Sequence, residues 1–135
     1  MEKTVQATPV DPDAYNAFLR EVLSPNLMLR GELLVYQYME QLCETYKGGS
    51  WVINRLDNGG WYMAPKLSEP MHLQWSDNMF DGVMSADAAG IVATLFAINN
   101  LATTYEVEEL GHAYNKLLVF ANEHAEAGLI GGAID

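Results

Sequence analysis

The sequence predicts an α+β fold in which one four-stranded antiparallel sheet packs against flanking α-helices. Two patterns indicate this fold. Apolar residues recur at helical spacing in the first and last thirds of the chain, whereas the middle third alternates apolar and polar residues between turn signals. Strands that follow one another through tight turns must run antiparallel, so the middle third predicts a single sheet of sequential strands.

The N-terminal third predicts a flexible tail over residues 1–10, followed by a single domain over residues 11–135. Asp11-Pro12 is a helix start, because aspartate is a preferred N-cap and proline fits the first helical turn. An apolar stripe at helical spacing follows and comprises Tyr15, Phe18, Leu19, Val22 and Leu23. Ser24-Pro25 repeats the start signal and predicts a longer second helix that Gly48-Gly49 ends.

The first two predicted strands form a hairpin. Residues 50–56 are rich in tryptophan and β-branched side chains, and residues 61–64 return as the partner strand, which Pro65 ends. Between them, Asn58-Gly59 predicts a type I′ turn in which both residues hold a positive φ.

A second hairpin is predicted after Pro65. Residues 71–75 alternate between apolar and polar side chains, as a half-buried strand does. Ser76-Asp77-Asn78 then turns the chain, and residues 79–84 form the fourth strand with a candidate bulge at Gly82.

The C-terminal third predicts three helices. Ser85 is an N-cap, and residues 86–102 are apolar nearly all round, which is typical of a central buried helix. Glu106, Glu108 and Glu109 are expected at the start of the next helix, whose core stripe comprises Leu110, Ala113, Tyr114, Leu117, Leu118 and Ala121. The small and apolar residues 125–135 predict a short helix that packs on the body.

The charge balance limits the classes of partner. The chain carries 18 acidic and 7 basic residues, a formal net charge of −11, which opposes direct binding to nucleic acid and to anionic membranes. The single cysteine, Cys43, allows neither an internal disulfide nor a cysteine-rich zinc site. No export signal is visible, and the longest apolar run, residues 88–98, is shorter than the roughly 20 residues of a membrane span. We therefore expect a cytoplasmic protein, most simply a monomer.

One group of side chains could support acid–base chemistry. His72, Asp77, Asp81 and Asp87 cluster around the second hairpin in the sequence, and paired carboxylates act as acid and base when burial separates their pKa values. Each residue also has an ordinary structural use, in a turn, at a strand edge or at a helix start. The sequence alone therefore favours no catalytic site, with an enzyme that uses Asp77, Asp81 and Asp87 as the alternative.

Other candidates are weaker. Glu109 and His112 have the spacing of a metal-binding pair, with Glu108 as a third group, but no second set of ligands is evident. Cys43 lies in acidic surroundings and is expected to be a core thiol. The sheet aromatics could stack on bases, yet only Arg55 and Lys66 lie near them, so packing is the expected use; they are Trp51, Trp61, Tyr62, Trp75 and Phe80. No cofactor-binding or metal site is expected.

Four blocks resemble the antirestriction proteins of the ArdB/KlcA family. They are residues 48–51, residues 58–65, residues 74–78 with Phe80-Asp81-Gly82, and Ser85-Ala86-Asp87-Ala88-Ala89-Gly90-Ile91. The segments Phe120-Ala121-Asn122-Glu123-His124-Ala125-Glu126-Ala127-Gly128 and Ala133-Ile134-Asp135 also fit. The resemblance covers the chain from about Leu27 to the end.

The resemblance implies an α+β protein that protects incoming mobile DNA from type I restriction-modification enzymes. It implies no catalytic chemistry and therefore assigns no active-site residue. The expected mechanism is an indirect protein contact with the restriction complex or with a host factor. A regulatory binding module without antirestriction activity is the further alternative.

Overall fold

The computed structural model describes residues 4–135 of the chain. The elements in order are β1 (Ala7–Pro9), a 3₁₀ turn (Pro12–Ala14), α1 (Tyr15–Leu23), α2 (Met28–Leu42), β2 (Trp51–Leu56), β3 (Trp61–Pro65), β4 (Met71–Trp75), β5 (Phe80–Met84), α3 (Ala86–Tyr105), α4 (Glu108–Glu123) and α5 (Ala127–Ile134). The strands pair antiparallel throughout, so the α+β class is confirmed.

The prediction of a single four-stranded sheet is wrong. The structure has a three-stranded sheet in the order β1-β2-β3 and a separate two-stranded sheet of β4 and β5. The outer edge of β3 is occupied by α3, because Thr94 of that helix hydrogen-bonds both backbone groups of Met63. With this edge covered, β4 has no ladder to extend and pairs with β5 alone.

The last residues of the predicted flexible tail form a strand. Residues 7–9 pair with β2, with Ala7 opposite Leu56 and Pro9 opposite Asn54. An edge strand tolerates Pro9 because the missing N–H costs no ladder bond on the outer side. The Val5 amide also donates to Glu123 Oε1 at 2.9 Å. Residues 1–3 of the predicted tail lie outside the described residues.

The central helix is α3, which packs against α2, α4, α5 and β3. Ser85 caps it as predicted, since its Oγ accepts from the Ala88 amide at 3.1 Å. Over 20 residues this helix is long and apolar enough to cross a membrane, but 67% of its apolar window is buried among the other elements. It therefore serves as the core helix, as its all-round apolar pattern predicted.

Two local predictions about turns are corrected. Helix α2 ends at Leu42, before the positive-φ Gly48 and Gly49. In the first hairpin Gly59 has a φ of 92°, but Asn58 is not among the positive-φ residues. The Gly59 amide donates to the Leu56 carbonyl, and Asn58 Oδ1 accepts from Gly60 N, which describes a type I turn followed by a left-handed glycine rather than type I′.

Two further details differ from the sequence prediction. The β4–β5 ladder runs continuously through Gly82, which pairs with Leu73, so the candidate bulge is absent from this ladder. Glu106 does not start α4 but ends α3 in the left-handed conformation, at a φ of 55°.

Candidate functional site

Two of the four sequence blocks, residues 58–65 and 85–91, meet the segment of residues 120–128 at the N-terminal end of α3. Tyr62 comes from β3, Asp87 from the first turn of α3, and His124 follows α4. The Tyr62 hydroxyl donates to Asp87 Oδ1 at 2.7 Å, and His124 Nε2 lies 2.8 Å from Asp87 Oδ2. We call these three residues the Tyr62–Asp87–His124 network.

The backbone fixes the tautomer of His124. The Glu126 amide donates to His124 Nδ1 at 3.0 Å, so that nitrogen carries no proton. The proton of the neutral ring therefore lies on Nε2, which donates it to Asp87. Both ring nitrogens are thus engaged, and the imidazole has no free lone pair with which to act as a base.

Aromatic packing holds the network in place. The Phe120 ring stacks on Tyr62 with centroids 5.5 Å apart and meets His124 edge-on at 6.1 Å. Burial raises the pKa of the Tyr62 phenol far above its usual range, and the hydrogen bond to Asp87 adds to the rise. Tyr62 is therefore a neutral donor at physiological pH.

A second contact ties the same region to α5. Both carboxylate oxygens of Glu126 are used, since Oε1 accepts from the Ser85 amide at 2.9 Å and Oε2 from the Ser85 hydroxyl. The Ser85 hydroxyl donates to a carboxylate instead of to His124, so the geometry is not that of a serine nucleophile with a histidine base. The two contacts together join β3, the start of α3 and the α4–α5 connection.

A shallow depression of about 460 Å³ reaches Asp87. Its wall is formed by the end of β3 and by the connection that follows it, including Pro65, Lys66 and Ser68. Asp87 is the one residue of the network that lines this depression.

The predicted His72, Asp77, Asp81 and Asp87 cluster is divided by the fold. His72 Nε2 lies 2.6 Å from Asp81 Oδ1 on the exposed face of the β4–β5 sheet, and Gln74 donates to Asp81 Oδ2 at 3.1 Å. These two hydrogen bonds lower the pKa of the Asp81 carboxyl. Asp87 instead joins Tyr62 and His124, so Asp81 and Asp87 are held by different partners and do not form a carboxylate pair.

The remaining candidates occupy ordinary positions. Glu108 and His112 are exposed and 3.9 Å apart, and residues 4–135 contain no group of three or more possible metal ligands. Cys43 is buried at the end of α2. The Trp51 ring packs edge-on against Tyr36 and Tyr46, and Trp61 and Tyr62 are buried, so these aromatics pack within the protein as expected.

Residue spacing alone does not identify the network, because its members are separated by 25 and 37 positions. The signal that could have found it was the set of sequence blocks. Tyr62 and Asp87 lie in two different blocks and His124 in the further segment of residues 120–128, and the structure brings the three together.

The comparisons with known proteins agree with one another. A family described as "Antirestriction protein" matches residues 44–135. Two curated relatives from Escherichia coli, each called antirestriction protein KlcA, are 48% identical over 124 residues and 46% identical over 122 residues. The matches cover 87% of this chain in both cases, and 85% and 86% of the relatives.

A solved structure matches the whole fold. It has a TM-score of 0.92 and 43% sequence identity, and the match covers 100% of this chain and 98% of the other. That structure comes from a study of the KlcA and ArdB proteins, which are described as having antirestriction activity against type I DNA restriction systems in vivo but not in vitro.

Proposed function

This chain belongs to the antirestriction protein family, and we propose that it counters type I restriction-modification enzymes through protein contacts and so protects incoming mobile DNA. The observation that carries the proposal is the match to the KlcA and ArdB structure, which extends over the full chain at 43% identity.

The site geometry supports a mechanism without catalysis. His124 uses both ring nitrogens, Tyr62 is held as a neutral donor, and the Ser85 hydroxyl is bonded to Glu126. A nucleophile or a general base needs a free lone pair and a proton that it can give up. Both nitrogens of His124 are engaged, and the hydroxyl protons of Tyr62 and Ser85 are donated to carboxylates inside the protein. Their role is to hold three segments in register.

The charge distribution supports an indirect mechanism over DNA mimicry. A mimic needs a dense row of acids, since B-DNA places one charge about every 1.7 Å of axis. Here the acids are dispersed along the whole chain, and the one tight group is Glu106, Glu108 and Glu109 at the junction of α3 and α4. The activity described for KlcA and ArdB, present in vivo but not in vitro, also supports an effect that needs a component of the cell.

The proposed mechanism also implies where the protein acts and what it contacts. Restriction acts on DNA inside the cell, so we propose that the protein works in the cytoplasm, as a monomer, on the type I complex or on an associated host factor. It needs no cofactor for such a contact.

Phage plating tests the function. Unmodified phage is plated on a type I restricting host with and without the protein, and on a non-restricting host as the control. We expect the protein to raise plating on the restricting host only. Equal plating with the protein shown to be expressed and soluble would contradict the proposal.

A binding assay tests the mechanism. Purified type I enzyme is mixed with the protein and with its DNA, at low and at physiological salt. We expect no DNA-competitive binding, because the acids do not replicate a phosphate row. Nanomolar binding that DNA displaces would overturn the indirect mechanism in favour of mimicry.

A further inference from the structure

A groove of about 740 Å³ lies between the tip of the β4–β5 hairpin and the end of α2. We call it the hairpin groove. It is separate from the Tyr62–Asp87–His124 network, whose members do not line it. Gln41 lines the groove from α2, and the lining residues that carry the argument are Trp75, Asp77, Met79, Phe80 and Asp81.

Met79 is presented to solvent in an unfavourable backbone conformation. Its side chain is 86% exposed, and its φ is 61°, in the left-handed region that methionine rarely adopts. Strained residues persist where the surrounding structure determines them, and they concentrate at functional surfaces. Methionine is also enriched at protein interfaces because its flexible thioether adapts to a partner.

The hairpin tip is held rigidly from behind. Asn78 Nδ2 lies within hydrogen-bond distance of three carbonyls at the end of α5, those of Gly132 (3.3 Å), Ala133 (2.9 Å) and Asp135 (2.8 Å). Asn78 Oδ1 accepts from the Phe80 amide at 3.0 Å. The tip is thus fixed before any partner arrives, which reduces the entropy lost on binding.

Aromatic packing fixes the two sides of the tip. The Phe80 ring packs on α5 at Gly132. A Cβ at that position would lie 3.2 Å from the ring, so the absence of a side chain at Gly132 makes room for it. On the other side, the centroid of the Trp75 ring lies 5.0 Å from that of Phe96 and 6.2 Å from that of Tyr38. Only the turn between Trp75 and Phe80 is left projecting, with Met79 at its end.

The hairpin groove is negatively charged. Asp77 and Asp81 are the charged side chains among its lining residues, and residues 67–115 contain no lysine or arginine. Such a surface attracts lysine and arginine side chains and repels nucleic acid. The net charge of −11 also disfavours a second copy of the chain as the occupant.

We propose that the hairpin groove docks a basic protein surface, with Met79 inserted into an apolar socket of the partner and Asp77 paired with a lysine or arginine at the rim of the groove. The proposal rests on the antirestriction function above, because it names the surface through which the protein contact is made.

Two substitutions separate the apolar anchor from the acidic rim. Met79→Gly removes the anchor and suits the positive φ, so the variant melts at or above the parent temperature. Asp77→Lys reverses one rim charge at an exposed position, and Asp77→Asn only neutralises it. Matched controls outside the groove are Leu29→Ala, at a side chain 68% exposed on α2, and Glu21→Lys, at an exposed position on α1.

The readout is phage plating on the type I restricting host, with thermal melting for each variant. We expect Met79→Gly and Asp77→Lys each to reduce protection at least tenfold, Asp77→Asn to reduce it less, and both controls to protect like the parent. Parent-level protection by Met79→Gly or by Asp77→Lys would overturn the docking proposal and leave the antirestriction function standing. Failure of the parent itself to protect would overturn both.

Light scattering tests the competing occupant. We expect a monomer at all concentrations for the parent and for Met79→Gly. A concentration-dependent dimer that Met79→Gly abolishes would overturn the basic partner and make a second copy the occupant of the groove.

Discussion

Thr94 and Met63 exchange two hydrogen bonds in the buried core. Thr94 Oγ1 accepts from the Met63 amide at 3.1 Å and donates to the Met63 carbonyl at 3.2 Å. A neighbouring strand would normally supply the hydrogen-bond partners at this edge of β3. Here the Thr94 side chain supplies them, so the Met63 amide and carbonyl are both paired although no strand lies beside them. The contact explains why β3 is buried along its whole length although it lies at the edge of its sheet.

Replacing Thr94 by valine keeps the volume and removes the hydroxyl. The Met63 amide and carbonyl then stay buried without partners, so we expect the free energy of unfolding to fall by about 2–4 kcal/mol. Thr94→Ser keeps the hydroxyl and loses one methyl, and we expect a loss of about 1 kcal/mol. Urea unfolding of the three proteins measures the difference, and equal losses for valine and serine would contradict this role.

Removing the Tyr62 hydroxyl weakens the network at Asp87. Tyr62→Phe is expected to lower the free energy of unfolding by about 1–2 kcal/mol near neutral pH, because a hydrogen bond to a carboxylate is lost. Tyr105→Phe, at a side chain 48% exposed, is the matched control and should change little. If both variants unfold alike, the hydroxyl contributes nothing to stability.

Alkaline pH is expected to destabilise the protein through the same residue. The pKa of Tyr62 is raised above its ordinary value of 10.0 in the folded state, so its contribution to stability is complete below that pH. Above it, the unfolded chain releases a proton that the folded protein keeps, and stability falls as pH rises. Urea unfolding on both sides of that pH should show a smaller drop for Tyr62→Phe than for the parent. Part of the drop remains, since the pKa of Tyr36 is raised as well.

Two helical glycines should respond to alanine with opposite signs. A Cβ on Gly90 would lie 2.3 Å from the Met63 carbonyl oxygen and 2.4 Å from Ala64 Cα, so Gly90→Ala is expected to cost about 3 kcal/mol or more. Nothing lies within 4 Å of a Cβ on Gly111, in α4, and Gly111→Ala should stabilise by about 0.5–1 kcal/mol. Thermal melting gives both signs, and a tolerated Gly90→Ala would show that α3 can move away from β3.

The first hairpin turn requires a left-handed residue at Gly59. With a φ of 92° and the Lys116 Nζ 3.1 Å from an added Cβ, Gly59→Val is expected to destabilise by about 1–3 kcal/mol. Gly59→Asn should cost less, because asparagine tolerates this conformation. A Gly59→Val protein that melts like the parent but fails to protect phage would identify the turn as a contact surface.

Local patterns determined most of the helices and strands. Ser85 and Asp11 cap their helices because a capping bond needs only residues two or three positions away. The alternation in residues 71–75 and the apolar character of residues 86–102 predicted β4 and α3, because each pattern reflects burial on one face or on all sides. The family blocks in the sequence likewise predicted the family to which the chain belongs.

Only the tertiary structure decided which elements meet. The position of Thr94 at the edge of β3, the addition of residues 7–9 to β2, and the meeting of Tyr62, Asp87 and His124 all join residues far apart in the sequence. Periodicity records how often a side chain is buried and not what buries it. The edge of β3 could have been covered by β4 or by a helix. It is covered by α3, because Gly90 lets the helix backbone approach Met63 and Ala64 closely and the Thr94 hydroxyl pairs with the Met63 backbone.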